Sequence, residues 1–235
     1  MQYSIDPKVF EKYPGFMRSV VIAENIDNTG ENAELAALLA DAAGNTASLP
    51  DSFKELPQLA VWAEAFRGMR INPNKYPPSV TNLIKRARSG KPLPYVNTLV
   101  AAFNYISLTH LCPCGGDDLG VIRGDLFLGF SSGDEQYTPL GQPDVRETPP
   151  VGEIIYMDTG TRDVMCRAWC WKNGDRSKLG PGTTRAAVNI DIMPPYGPAQ
   201  AETIAKELAD LLERSTGATT GCFLLSEQTP SFVII

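Results

Sequence analysis

The side chains best suited to chemistry crowd into nine residues, HLCPCGGDD (His110–Asp118): the chain's only histidine, two of its five cysteines and two aspartates. Three chemistries compete for this stretch. A metal site is the first. Cys112 and Cys114 form C-x-C through Pro113, a poor chelate for zinc, whose structural sites favour pairs of wider spacing. Cys166 and Cys170 form a second pair. On an extended strand they would lie about 13 Å apart at ~3.3 Å per residue, too far to share an ion. The expectation is no metal, with the cysteines acting as small buried hydrophobes. A nucleophilic thiol is the second. It needs a base from another element, and His110 is too close in sequence to Cys112 and Cys114 to be that base. His110 reads as a helix-end residue. The third is a pocket floor, where Gly115 and Gly116 leave the backbone open to a ligand.

Other polar groups join that reading. Asn104 and Ser107 are three apart in an otherwise apolar helix, so they share a face that must find partners or line a cavity. In CRAWCWKN, Trp169 and Trp171 are two apart and, on a strand, would present two aromatic planes on one face, suited to gripping an apolar group or stacking a base. Core packing is the competing reading. Lys172 and Asn173 follow directly. No phosphate-loop, dinucleotide, nucleophile-elbow or zinc-protease motif occurs, and no cofactor is expected.

These residues need elements to hold them. FMRSVVIAENI reads as a strand. NAELAALLADAAG reads as a helix closed by Gly44, and DSFKELPQLAVWAEAFRGM as a helix burying Trp62 and Phe66. SVTNLIKRARSG reads as a helix capped by Ser79 and stopped by Gly90, with Val80, Leu83 and Ile84 inward. YVNTLVAAFNYISLTHL is the most apolar helix. Beyond Pro113 the pattern turns to short strands (DLFLGFS, GEIIYMDT, DVMCRAWCWK, TRAAVNIDIM, GCFLLSE), interrupted by one helix, GPAQAETIAKELADLLERSTG. Helices first and strands later, without βαβ alternation, predict an α+β fold with a largely antiparallel sheet system. No linker is visible, so one domain is expected over residues 1–235.

The chain has 235 residues and a net charge of −6. No apolar run approaches the ~20 residues of a membrane helix, and the N-terminus lacks the basic-then-apolar pattern of a signal peptide. Few, unpaired cysteines suggest a reducing compartment, so a cytoplasmic address is expected. The charge is uneven. Between Ala65 and Gly116 there is no acid, while Arg67, Arg70, Lys75, Lys85, Arg86, Arg88 and Lys91 supply +7, and residues 162–185 supply a further +4. An acidic protein with basic blocks can offer a local phosphate-binding face, although a solvated helix face would look the same.

The order of these pieces is similar to a known family. YPPSVTNLIKRARSGKPLPYVNTLVAAFNYISLTHLCPCGGDDLG, then GEIIYMDTG, CRAWCWKNGDRSK and TTRAAVNIDIM, resemble the B3/B4 domain, the editing domain in the β-subunit of bacterial phenylalanyl-tRNA synthetase. The resemblance is closer still to free-standing proteins of this domain alone. It is strongest over residues 62–193.

The resemblance implies an α+β, three-layer B3/B4-type domain with mostly antiparallel sheets flanked by helices. It also implies trans-acting hydrolysis of mischarged aminoacyl-tRNA, with that tRNA as partner and no membrane. Asn104 matches a pocket asparagine of the family, and Thr183 or Thr184 a pocket threonine; Asn104 and Thr184 are the expected catalytic residues. The family's loop P-M-H-A-F-D aligns with Pro113–Asp118, so its histidine is Gly115 here. Its tyrosine-reading glutamate has no counterpart in Trp169–Asn173, which implies a different, smaller amino acid. Ser107, Cys114, Gly115, Gly116, Trp169, Trp171, Lys172 and Asn173 are expected around the acyl group. Lys85, Arg86, Arg88, Arg176 and Lys178 are expected on phosphates. A non-catalytic tRNA or amino-acid binding module, or an aminoacyl transferase using aminoacyl-tRNA as donor, would need the same pocket.

Overall fold

A computed structural model describes residues 1–90 and 92–235, so Lys91 of the basic block lies outside the described residues. The chain begins with β1 (Gln2–Ile5), α1 (Pro7–Lys12), β2 (Met17–Glu24), α2 (Ala33–Asn45), α3 (Pro57–Gly68), α4 (Ser79–Arg88) and α5 (Thr98–His110). It continues with β3 (Cys114–Asp118), β4 (Leu126–Phe130), β5 (Gln136–Tyr137), β6 (Ile154–Asp158), β7 (Asp163–Arg167) and β8 (Lys172–Asn173). It ends with β9 (Arg185–Ile192), α6 (Pro198–Thr216), β10 (Thr219–Leu225) and β11 (Ser231–Val233).

The strands form two sheets. One runs β11-β1-β4-β6-β7-β5, with β8 also on β7; the other runs β10-β2-β9-β3. Pairing is antiparallel except for β1 with β4 and β5 with β7. Period-two alternation builds the layers. On β2 and β9, Met17, Val21, Val188 and Ile190 face α2, α4, α5 and α6. The intervening Val20, Ile22 and Ala187 face the larger sheet, together with Trp62 and Phe66 of α3. The result is three layers: helices, four-stranded sheet, seven-stranded sheet. The expected α+β architecture is present, with these four helices covering one face of the smaller sheet.

Local signals explain the long elements. Asn97 caps α5 by accepting from the Val100 N–H at 3.0 Å, and Gly217 closes α6 in the left-handed region at φ 69°. Ser79 is the first helical residue of α4, preceded by Pro78 at the cap, and Gly44 lies inside α2, which runs on to Asn45.

One element departs from its sequence reading in a way that matters. DVMCRAWCWK is not one strand. β7 stops at Arg167, and Ala168 and Trp169 adopt left-handed φ values of 46° and 65°. Such a turn is costly for residues with side chains and persists only when its surroundings impose it. Here Glu153 imposes it. Its carboxylate accepts from Arg167 Nε and Nη2 at 3.0 and 2.9 Å and from the Ala168 N–H at 2.9 Å. The two tryptophans therefore do not share a strand face. Trp169 enters the inter-sheet core, edge-on to Phe16 and Trp62 at 4.7 and 5.3 Å. Trp171 turns to the helix side, edge-on to Tyr76 at 4.8 Å.

Candidate functional site

The stretch HLCPCGGDD divides between two elements. His110 ends α5, and its Nε2 lies 2.7 Å from Glu207 on α6. Cys114–Asp118 forms β3, the edge strand of the smaller sheet, in register with β9: Gly115 opposite Asn189, Gly116 opposite Val188. Cross-strand partners share a face. Cys114 and Gly116 therefore face the helices, and Gly115 and Asp117 face the larger sheet.

On the helix side lies an open groove of about 580 Å3. α5 contributes Asn104 and Ser107 to it, β3 contributes Cys114 and Gly116, and the returning chain contributes Trp171, Lys172 and Asn173. Seven of the residues expected around the substrate thus share one groove. Its floor is tight at Gly116: a Cβ there would stand 3.0 Å from Leu179 Cδ1 and 3.3 Å from Val188 Cγ2. Ser107 is committed to structure, since its hydroxyl donates to the Cys112 carbonyl at 2.7 Å. Arg86 of α4 and Lys178 stand on the wall, Lys178 held by Asp175 at 3.0 Å. Val96 and Leu140, 62% and 46% exposed, line the same groove.

On the inter-sheet side lies a small chamber of about 40 Å3, bounded by Gly115, Asp117, Trp169 and a buried polar network. Arg18 of β2 makes a bidentate pair with Asp191 of β9, through Nε at 2.6 Å and Nη2 at 2.9 Å. Its Nη1 donates to the Tyr3 hydroxyl at 3.0 Å, which donates to Asn189 Oδ1 at 2.6 Å. The signal for this network is a buried charge within each of two mostly apolar strands, Arg18 in MRSVVIAE and Asp191 in VNIDI. Asp117 is fully enclosed. Burial pushes its carboxyl up to about 7, against the pull of Ser177, whose hydroxyl donates at 2.5 Å, and of Arg18.

Other expected site residues lie elsewhere. Thr184 is exposed and lines neither space; its neighbour Thr183 is buried and donates to Asp118 at 2.7 Å. Lys85 lies on α4 outside the groove wall. Arg88 is engaged by the Leu49 and Pro50 carbonyls and by Asp51 at 2.9–3.0 Å. Arg176 pairs with Asp163 at 3.1 Å in a separate depression. Gly115 and Trp169 border the chamber rather than the groove.

Burial pushes the thiols of Cys112, Cys114, Cys166 and Cys170 well up, which keeps them as inert thiols. The 13 Å separation expected for Cys166 and Cys170 assumed a straight strand; the turn brings both to the chamber wall. Among the described residues, no cluster of three or more His, Cys, Asp or Glu could hold a metal, and no helix is long and apolar enough to cross a membrane.

Comparison with known proteins places these residues in a family. No curated protein sequence matches the chain. A solved N-terminal fragment of the phenylalanyl-tRNA synthetase β-subunit from Pyrococcus horikoshii is similar over 92% of this chain, at 8% identity and a TM-score of 0.47. This chain spans 49% of that fragment. The model of the B3/4 domain matches residues 61–219, a range that takes in the groove and, apart from Arg18, the chamber lining. The chain belongs to the B3/4 domain family.

Proposed function

We propose that the groove receives the aminoacylated 3′ end of a tRNA and that the protein hydrolyses the ester of a mischarged amino acid. The observation that carries this reading is the convergence of Asn104, Cys114, Gly116, Trp171, Lys172 and Asn173 on one groove of about 580 Å3, within the segment that matches the B3/4 model. That volume falls in the usual range for a small-molecule site.

The chemistry asked of the protein is modest. An aminoacyl ester is intrinsically labile, so the site must hold the acyl carbon in place and stabilise the oxyanion that forms on it. The Asn104 and Asn173 amides and the Lys172 ammonium supply donors on the groove wall. Arg86 and Lys178 supply cations for backbone phosphates. Val96 and Leu140 give exposed apolar surface against which a terminal base can pack. Trp171 bounds the space left for the acyl side chain, which supports a smaller amino acid than tyrosine.

The test is ester loss from a panel of correctly and wrongly charged tRNAs incubated with purified protein. Accelerated loss from one or more mischarged species is expected. Loss no faster than in buffer excludes deacylation; loss only when a small-molecule amine is added makes the protein a transferase.

A further inference from the structure

β3 is a partition. The groove lies on its helix face and the chamber on its inter-sheet face. Ser79, Cys114 and Asn173 line both, so the two spaces adjoin. Gly115 leaves room for the Asn173 amide, which packs over it: a Cβ there would lie 3.3 Å from the Asn173 Nδ2 atom.

The chamber holds polar groups that the fold leaves unspent. The Trp169 indole N–H is buried without an acceptor. The Tyr156 hydroxyl is buried beside that of Tyr3 without a well-aligned hydrogen bond. Asp117 takes its one hydrogen bond on Oδ1, from Ser177. A buried donor without a partner and a buried ionisable carboxyl both cost stability. Clusters of this kind mark sites.

The chemistry of the walls selects the occupant. It must donate toward the Asp117 carboxylate, and it gains by accepting where a wall donor such as the Trp169 N–H stands unpaired. An ammonium cannot accept, and a phosphate or carboxylate would meet Asp117 and Asp191. A hydroxyl-sized molecule satisfies both demands, and about 40 Å3 is room for one or a few waters.

We propose that the chamber holds the hydrolytic water and that Asp117 is its general base, delivering it past Gly115 to the ester bound in the groove. This rests on the deacylase reading. Asp117 takes one proton as the water oxygen bonds to the acyl carbon, giving a tetrahedral oxyanion. Collapse breaks the acyl C–O bond to the ribose. The leaving ribose oxygen takes back the proton held by Asp117, and the carboxylic acid formed releases the second water proton to solvent, so the amino acid departs as its carboxylate. A base held near neutrality suits this work at cellular pH.

The titratable and charged groups sharing the chamber with Asp117 are Arg18 on β2, Tyr156 on β6, Cys166 on β7, Cys170 in the turn and Asp191 on β9, with Tyr3 bonded to Arg18 behind them and Asp118 next in its own strand. Burial pushes the tyrosines and thiols upward, Tyr3 to about 12, away from neutral pH. Burial also raises Asp191, against the pull of its partner Arg18.

The experiment is single-turnover hydrolysis between pH 5 and 9 of the mischarged tRNA that the wild type cleaves fastest. The wild-type rate is expected to rise with pH and level off above an inflection near 7. Asp117→Asn is expected to lose roughly 10²–10⁴-fold in rate. It should still bind an amide-linked aminoacyl-adenosine analogue as the wild type does. Ser177→Ala removes a donor to the carboxylate, so its inflection moves to higher pH; a purely structural role would not move it. Should Asp117→Asn fail to fold, the Ser177→Ala profile decides alone. An Asp117→Asn rate near wild type with the same inflection overturns the proposal, as does an unmoved inflection in Ser177→Ala. Altered choice among amino acids at undiminished rate also overturns it, making the chamber a side-chain subsite. If the wild type cleaves no charged tRNA, the deacylase reading itself falls.

Discussion

Asp117 destabilises the protein at neutral pH, and the effect can be measured without any substrate. Its carboxyl stands at about 7 in the folded protein against an ordinary value of 3.8. Between those values the folded state keeps a proton that the unfolded state has released. Stability therefore falls as pH rises through that window and is flat on either side. A span of about 3 in pH at ~1.4 kcal/mol each gives ~4 kcal/mol as an upper figure. With an unfolding entropy of ~2.1 cal/mol/K per residue over 235 residues, ~4 kcal/mol corresponds to a Tm change of ~8 °C. Asp117→Asn keeps the shape and removes the titration. In thermal unfolding between pH 4.5 and 8.5, the wild type should lose several degrees relative to the variant. At pH 8.5 the variant should be the more stable protein. Parallel Tm curves for the two proteins would refute the burial argument for Asp117. A variant that gains stability while losing hydrolysis would show why a costly group is retained.

Other perturbations address other parts of the account. Asn104→Ala should lower turnover by roughly 10²-fold if its amide meets the oxyanion, with a melting curve close to wild type. Arg86→Ala and Lys178→Ala should each weaken tRNA binding and reduce the slope of log affinity against log salt by about 1; unchanged slopes would remove them from the phosphate face. Arg18→Met strands Asp191 inside the protein and should cost ~3–5 kcal/mol in urea unfolding, much of it recovered when Asp191→Leu is added. Cys222 is the one exposed thiol among the described residues, so a thiol-reactive dye should label it rapidly and without effect on hydrolysis, the half-buried Cys114 of the groove more slowly, and Cys112, Cys166 and Cys170 only on unfolding.

Sequence periodicity sufficed where local preference and burial agree. α5, α6, β2 and β9 are long, regularly patterned and bounded by caps or turns, and their positions were legible. CRAWCWK was not. Its turn depends on Glu153, fourteen residues before Arg167, and on two left-handed residues that carry side chains. The two glycines of CPCGGDD disguise an edge strand, and β1 joins its sheet through a parallel pairing with β4 that no local pattern announces. The groove was accessible because Asn104 and Ser107 share one face of an apolar helix and two adjacent glycines follow it, with the resemblance adding a role for Asn104. The chamber was not, because its bonds link residues far apart in sequence, such as Arg18 with Asp191 and Tyr3 with Asn189. Thr184 illustrates the opposite hazard: two adjacent threonines fit the family pattern equally, and the buried one is Thr183.

The most direct measurement charges one tRNA with its own amino acid and, separately, with a smaller non-cognate one, and compares kcat/KM for ester hydrolysis. The account predicts faster cleavage of the mischarged form, and loss of that cleavage in Asn104→Ala. Equal hydrolysis of both forms, or none of either, would contradict it.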